Sequence, residues 1–241
     1  MSESGWIVGF HAVLAGLEGG RPVEQLWLQD GRRDGRLGRL EAVARKHGIP
    51  VRRVPKKRLD GIAVGQPHNG CALRAAPVAL SDVSELVRPE GEPARLVLLD
   101  AVDDPHNLGA VVRSAAAFGI DGVIVAGPSA PPLGGAAAKA AAGHLERVPV
   151  ARVNVAADIL RILRDEGYWV LGAAMDGSPS PGVDPTDRWV LCLGSEQKGL
   201  RAKTRSAIDE FVAIPMAAGV ESLNLSVAAG VLMYQLTVRE S

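Results

Sequence analysis

Residues 95–127 read RLVLLDAVDDPHNLGAVVRSAAAFGIDGVIVAG, and this stretch decides the fold. LVLLD is an unbroken apolar run of strand length that stops at Asp100. NLGAVVRSAAAFG places apolar residues at helical spacing and stops at Gly119, and GVIVAG is a second apolar run. A strand, a helix and a strand, with the strands apolar at nearly every position, predict a parallel pair covered on both faces.

Working outward toward the C-terminus, the alternation continues. GGAAAKAAAG reads as a helix, VPVARV as a strand, AADILRILRDEG as a helix, and YWVLGAA, WVLCLG and FVAIP as strands. A polar loop separates the last two, and an apolar helix is expected from about Leu223 to Arg239. Toward the N-terminus, HAVLAGLEGG reads as a helix ended by paired glycines. EQLWL follows as a strand, RLGRLEAVARKHG as an amphipathic helix ended by Gly48, and VRRV as another strand. Between these blocks, residues 76–94 carry prolines and acidic residues without a long apolar run, so the domain junction is expected there. The expected organisation is a small α/β domain over 1–77, a linker over 78–94 and a mostly parallel α/β domain over 95–241.

At 241 residues and 47% hydrophobic, the chain can bury a core in each part without covalent staples. No stretch has the length and apolarity of a membrane span, and MSESGWIVGF lacks the charged and apolar regions of a secretory leader, so a cytoplasmic protein is expected. Cys71 and Cys192 lie far apart in apolar runs and read as reduced core thiols. The five histidines show no ligand spacing, so no metal is expected.

The net charge of zero conceals an asymmetry. Residues 1–77 hold 13 Lys and Arg against 7 Asp and Glu, whereas residues 78–241 hold 14 against 20. A basic module joined to an acidic body fits binding of an acidic polymer; on charge alone it fits a solvated basic face equally well. Arg52, Arg53, Lys56, Lys57 and Arg58 are the candidate contacts to such a polymer.

The first strand lacks the G-x-G-x-x-G turn of dinucleotide-binding folds. Its carboxyl end carries the polar turn Asp100–Asn107 instead, with Arg113 further along the helix. Ligands of open α/β sheets bind beyond the carboxyl ends of the strands, which makes this turn a candidate site wall; Asn107 as a simple helix cap is the competing reading. A second constellation, GSEQKGL, puts Glu196 just past a strand end between Gly194 and Gly199. In a third, Ser222 and Asn224 open the C-terminal helix.

In this order, D-x-x-x-D-P-x-N-x-G-x-x-x-R, G-S-E-x-x-G-L, I-P-M and S-L-N-x-S-x-A resemble the ordered motifs of the SpoU (TrmH-type) RNA 2'-O-ribose methyltransferases, over residues from about 95 to 239. GxHAVxxxL and HNGCAL in residues 1–77 resemble the small RNA-binding domain that precedes the catalytic domain in the ribosomal RNA branch. The resemblance implies a SPOUT fold with a C-terminal trefoil knot, an exception to the rule that chains do not thread loops. It further implies S-adenosylmethionine as methyl donor, held at Gly194, Ile214 and Leu223, and a reactive site built from Arg113, Asn107, Glu196, Ser222 and Asn224. It points to a guanosine ribose of 23S RNA, free or in a large-subunit assembly intermediate, and to a homodimer. A transfer-RNA methyltransferase, a resistance methyltransferase of the same family and a non-catalytic RNA-binding assembly factor are the alternatives.

The resemblance also implies that the arginine acts as base. A guanidinium is effectively always protonated, so elementary chemistry favours Arg113 as a clamp on developing negative charge. Three positions depart from the family pattern. Gln197 stands where glycine is frequent, Ala141 where serine is common, and His144 where a small residue is common.

Overall fold

The computed structural model describes residues 5–76, 78–89, 91–179, 188–220 and 222–237, and the chain divides into two units. The first comprises residues 1–79 together with 132–147, and the second residues 80–131 and 148–241.

In the first unit, a four-stranded sheet in the order β1-β4-β2-β3 is built from β1 (Gly5–Val8), β2 (Val23–Gln29), β3 (Val51–Val54) and β4 (Cys71–Ala75). Helices α1 (Phe10–Glu18) and α2 (Gly35–Lys46) bury Val13, Leu17, Leu37 and Leu40 with Leu26, Leu28 and Leu73 of the sheet. Asp34 caps α2 by accepting a hydrogen bond from the Arg36 amide at 2.9 Å, and left-handed Gly48 follows its end. Helix α3 (Lys56–Ala63) packs Leu59 and Ala63 with Val8, Val54 and Ala72. Strands β1 and β4 and helix α3 were not among the expected elements; each is eight residues or fewer, too short to show a period of its own.

The second unit carries a six-stranded sheet in the order β10-β8-β9-β5-β6-β7, every described pairing parallel. Its strands are β5 (Ala94–Asp100), β6 (Gly122–Ala126), β7 (Val150–Val153), β8 (Trp169–Pro179), β9 (Arg188–Gly194) and β10 (Glu210–Ala213). Helices α4 (Pro105–Ala117), α6 (Ala156–Asp165), short α7 (Ala202–Arg205) and α8 (Leu225–Thr237) accompany it. Central β5 and β9 are buried along almost their whole length, as expected of strands covered on both faces. They run in register so that Asp100 lies opposite Gly194, and the carboxyl ends of the two strands coincide.

Three sequence expectations are modified. The segment between the blocks packs as part of the second unit: Leu86 is 2% exposed and sits so close to Gly122 that a Cβ there would lie 2.6 Å from it. Buried Arg188 anchors the same segment through hydrogen bonds to the carbonyls of Arg88, Pro89 and Glu92, and ties it to the end of α6 through that of Glu166. The Ala-rich helix α5 is confined to Gly135–Ala140, and its segment belongs to the first unit. There, Gly143 (φ +95°) passes so near Ala15 that a Cβ would lie 2.4 Å from its methyl. Helix α8 begins at Leu225, two residues later than expected; Val238 and Arg239 lie outside the described residues.

Candidate functional site

The site lies in the second unit at the shared carboxyl ends of β5 and β9. Asp100 is wholly buried there and accepts from the Arg201 amide (2.9 Å) and from Arg201 Nε (2.7 Å). This bidentate pair fastens the loop after β9 to the end of β5. The loop itself is a tight turn, with the Gly199 amide donating to the Ser195 carbonyl at 2.8 Å and Gly199 at φ +63°. Gln197 is not among the residues with positive φ, so the departure from glycine there costs the turn nothing.

Gly194 is required for a different reason. A Cβ at this position would lie 1.9 Å from the Gly199 carbonyl carbon and 2.1 Å from the Leu200 amide nitrogen, inside backbone that cannot move away as a side chain can. The end of β9 and the returning loop touch backbone to backbone, and only glycine permits it.

Three separated residues meet at Glu196. Asn107 Nδ2 donates to Glu196 Oε1 at 3.1 Å, Asn224 Nδ2 donates to the same oxygen at 2.7 Å, and the Leu225 amide approaches it at 3.3 Å. Asn224 Nδ2 also reaches Asn107 Oδ1 at 3.0 Å, closing the triangle. The other end of the Asn224 side chain caps α8, accepting from the Ser226 amide (3.0 Å) and hydroxyl (2.6 Å). Helix α4 is capped by Asp104, which accepts from the His106 amide at 2.8 Å. Asn107 is therefore not a cap; it is 8% exposed and free to serve the triangle.

Two cavities flank Glu196. The larger, about 770 Å³, is walled mainly by apolar residues, among them Leu193, Val212, Ile214, Leu223 and Leu232. Gly194 and Ser222 also line it. The smaller, about 260 Å³, is polar and is bounded by Asp103, Asp104, Asn107 and Gln197. Ser195, Glu196, Lys198 and Leu225 line both. An apolar cavity with a few fixed polar groups fits a nucleoside-sized ligand, and the carboxylate stands where it meets the polar chamber.

The residues expected at the site are distributed as follows. Gly194, Ile214, Leu223 and Ser222 surround the large cavity, while Asn107, Glu196 and Asn224 form the triangle. Arg113 joins neither: it is exposed on α4 and lines neither cavity. All five basic candidates in the first unit, Arg52, Arg53, Lys56, Lys57 and Arg58, are exposed, and Arg53 is also engaged by Glu41 at 2.5 Å.

Sequence reasoning did not single out Asp176, which pairs with Arg205 at 2.6 Å in the large cavity's wall. The Arg205 hydrogen bond holds the Asp176 carboxyl below the usual carboxylate range. Asp176 reaches the cavity because the β8 register jumps: Phe211 pairs with Gly172, but Val212 pairs with Ser178, and the residues between leave the ladder. The run AAMDG reads only as a strand end, so nothing in it announces this excursion. Asp100 did carry a signal, as a buried-strand carboxylate opening the polar turn. Among the described residues no group of His, Cys, Asp and Glu is arranged to hold a metal ion, and no helix is long and apolar enough to cross a membrane.

Comparison with known proteins points to one family. Residues 94–234 match the SpoU rRNA Methylase family, and residues 6–80 match the RNA 2'-O ribose methyltransferase substrate binding domain. The 23S rRNA (guanosine-2'-O-)-methyltransferase RlmB of Xylella fastidiosa is 40% identical over 95% of this chain and 94% of its own. A Staphylococcus haemolyticus protein assigned to the TrmH family of tRNA/rRNA methyltransferases is 35% identical over 95% of this chain and 94% of its own. Among solved structures, an AdoMet-bound rRNA methyltransferase from Sinorhizobium meliloti superposes with a TM-score of 0.80 at 26% identity, covering 97% of this chain and 86% of that one.

Proposed function

The chain belongs to the SpoU rRNA methylase family, and from that premise we propose that it transfers a methyl group from S-adenosylmethionine to the 2'-hydroxyl of a guanosine ribose in 23S ribosomal RNA. The observation that carries this reading is the position of Glu196, tied by Asn107 and Asn224 where a nucleoside-sized apolar cavity meets a polar one. Relatives that carry the rRNA name match both units, over 95% of the chain. Residues 1–77 are the substrate-binding module and residues 95–241 the transferring one, and Arg52, Lys56, Lys57 and Arg58 supply contacts to the RNA. Such a protein works in the cytoplasm on free 23S RNA or an assembly intermediate.

The donor fits the large cavity: Ile214 and Leu223 offer flat apolar contact, Gly194 leaves backbone groups bare at the wall, and Ser222 adds a hydroxyl. It supplies an electrophilic methyl on a sulfonium. Three hydrogen bonds fix Glu196 Oε1, and among the described residues no donor meets Oε2. That oxygen is placed to accept a hydrogen bond from the ribose hydroxyl and turn it toward the cavity. Holding the two reacting groups in line lowers the barrier, because the ordering entropy has been offset on binding.

The hydroxyl proton passes to Glu196 Oε2 as the oxygen takes the methyl, and Arg113 stabilises the charge that develops on that oxygen. Arg113 lines neither cavity of its own chain; in a pair of copies it serves the site of the second. The exposed face of α8 supports pairing: Val227 and Tyr234 are 50% and 52% exposed on one stripe, and Tyr234 packs edge-on against Phe118.

The test is transfer of labelled methyl from S-adenosylmethionine to 23S RNA and, separately, to bulk transfer RNA, followed by alkaline hydrolysis. Label in an alkali-stable dinucleotide from 23S RNA is the expected result. Label in transfer RNA alone would move the substrate to the other branch. No label in either, with the donor bound, would make the protein a binding factor.

A further inference from the structure

The first unit's sheet has one face packed under α1 and α2 and a second face packed against α3, where Trp6 and Trp27 are half-buried. On the second face lie Trp6 of β1 and Trp27 of β2, although β4 separates their strands. On β4, Arg74 pairs with Trp6, and the residue that pairs with Trp27 is Ala72. Its small side chain lets the indoles close above it, with centroids 4.3 Å apart and planes at 52°. Trp27 Nε1 donates to Gln25 at 2.8 Å, so the ring's polar atom is satisfied within the sheet.

Cations frame this pair. The Arg58 guanidinium lies 5.9 Å from the Trp27 ring and that of Arg74 lies 6.0 Å from the Trp6 ring. Arg52 pairs in register with Trp27 and is exposed, and Lys56 and Lys57 stand at the start of α3. The acids nearby already have partners: Glu24 pairs with Arg74, and Asp60 with His68. Arg53 alternates to the opposite face, where Glu41 holds it.

We propose that Trp6 and Trp27, with Arg58 and Arg74, form a stacking platform for one or two unpaired nucleobases of the substrate RNA, whose phosphates meet Arg52, Lys56 and Lys57. Aromatic rings beside guanidinium planes bind bases through their faces, and the surrounding positive charge selects a polyanion. Bases inside an A-form helix have no free faces, so the platform takes a loop or bulge rather than duplex. The inference rests on the reading of RNA as substrate and adds what part of that RNA the first unit holds.

The experiment uses the full chain carrying Trp169→Phe, which removes the indole that is 41% exposed elsewhere; Trp189 is 1% exposed. Tryptophan emission is followed while a single-stranded adenosine decamer or a duplex of equal length is added. Quenching by the single strand and far weaker quenching by the duplex are expected. Trp6→Leu and Trp27→Leu should each weaken single-strand affinity by about tenfold. Arg58→Gln should weaken it with both indoles intact, so the outcome does not depend on a tryptophan variant folding. Unchanged affinity in folded Trp6→Leu and in Arg58→Gln, or equal quenching by duplex, would overturn the platform. Methyl transfer to 23S RNA by the unsubstituted chain, measured alongside, separates the two ideas: transfer without single-strand preference sinks the platform alone, and single-strand binding without transfer to any RNA sinks the enzymatic reading alone.

Discussion

Asn224 Nδ2 lies 2.7 Å from Glu196 Oε1, so the residue that caps α8 also fixes the carboxylate at the end of β9. One side chain does both because its carbonyl oxygen faces the helix amides and its NH₂ faces the acid. The two roles separate by substitution. Asn224→Asp keeps the cap acceptor but sets a second carboxylate against Glu196. Methyl transfer is expected to fall by about 10- to 100-fold, the worth of one hydrogen bond to a charged group, with thermal stability nearly unchanged. Retained activity together with retained stability would show that capping is the residue's only role.

Gly194→Ala forces a methyl into the backbone of Gly199 and Leu200. Overpacking of this kind costs about 1–3 kcal/mol or more, and here it displaces the wall of the large cavity. Calorimetric titration with S-adenosylmethionine is expected to show binding lost or reduced by more than about tenfold, with the first unit still folded by near-ultraviolet signals from Trp6 and Trp27. Wild-type affinity would contradict the placement of the donor.

Arg113 acting in the partner's site predicts complementation. Arg113→Ala and Glu196→Gln are each expected to be inactive alone. In a mixed dimer both lesions fall in one site and leave the other intact. Equal mixing by dissociation and reassociation should recover about a quarter of wild-type activity, since about half the dimers are mixed and each has one good site. No recovery, in a sample shown to contain mixed dimers, would place Arg113 and Glu196 in the same chain's site.

Burial pushes the Cys71 thiol up to about 12, and Cys192, wholly buried, is pushed up as well, with the Asp100 charge adding to the effect. In the unfolded chain both ionise near pH ~8.5. Their raised folded values give stability that is fully present below that pH and is lost as pH rises from there toward the folded values, because the unfolded state releases protons the native state retains. The slope is about 1.4 kcal/mol per pH unit for each thiol over that window. Melting temperatures from pH 8 to 10 should fall, and Cys71→Ser with Cys192→Ala should flatten that fall after allowance for their own cost. A thiol reagent should label neither cysteine in the native protein at pH 8; rapid native labelling would show an exposed thiol.

The central β–α alternation was legible because buried parallel strands are apolar at nearly every residue, as LVLLD and WVLCLG are. Asn107, Glu196 and Asn224 were legible as polar residues at element ends, although 89 residues separate the first two. What sequence could not show depends on pairing at a distance. Nothing local in residues 132–147 says that they join the first unit. The meeting of Trp6 and Trp27 follows from a strand order that places β4 between them and from the small size of Ala72. The register jump in β8 that turns Asp176 into the cavity follows from β10, formed some thirty residues later.

The most direct test of the account is the modification state of guanosine riboses in 23S RNA from cells lacking the gene, and from the same cells supplied with wild type or Arg113→Ala. The account predicts one 2'-O-methylguanosine that disappears with the gene, returns with wild type and stays absent with Arg113→Ala. A 23S RNA methylated identically in all of these cells, with a ribose methyl missing from transfer RNA instead, would contradict it.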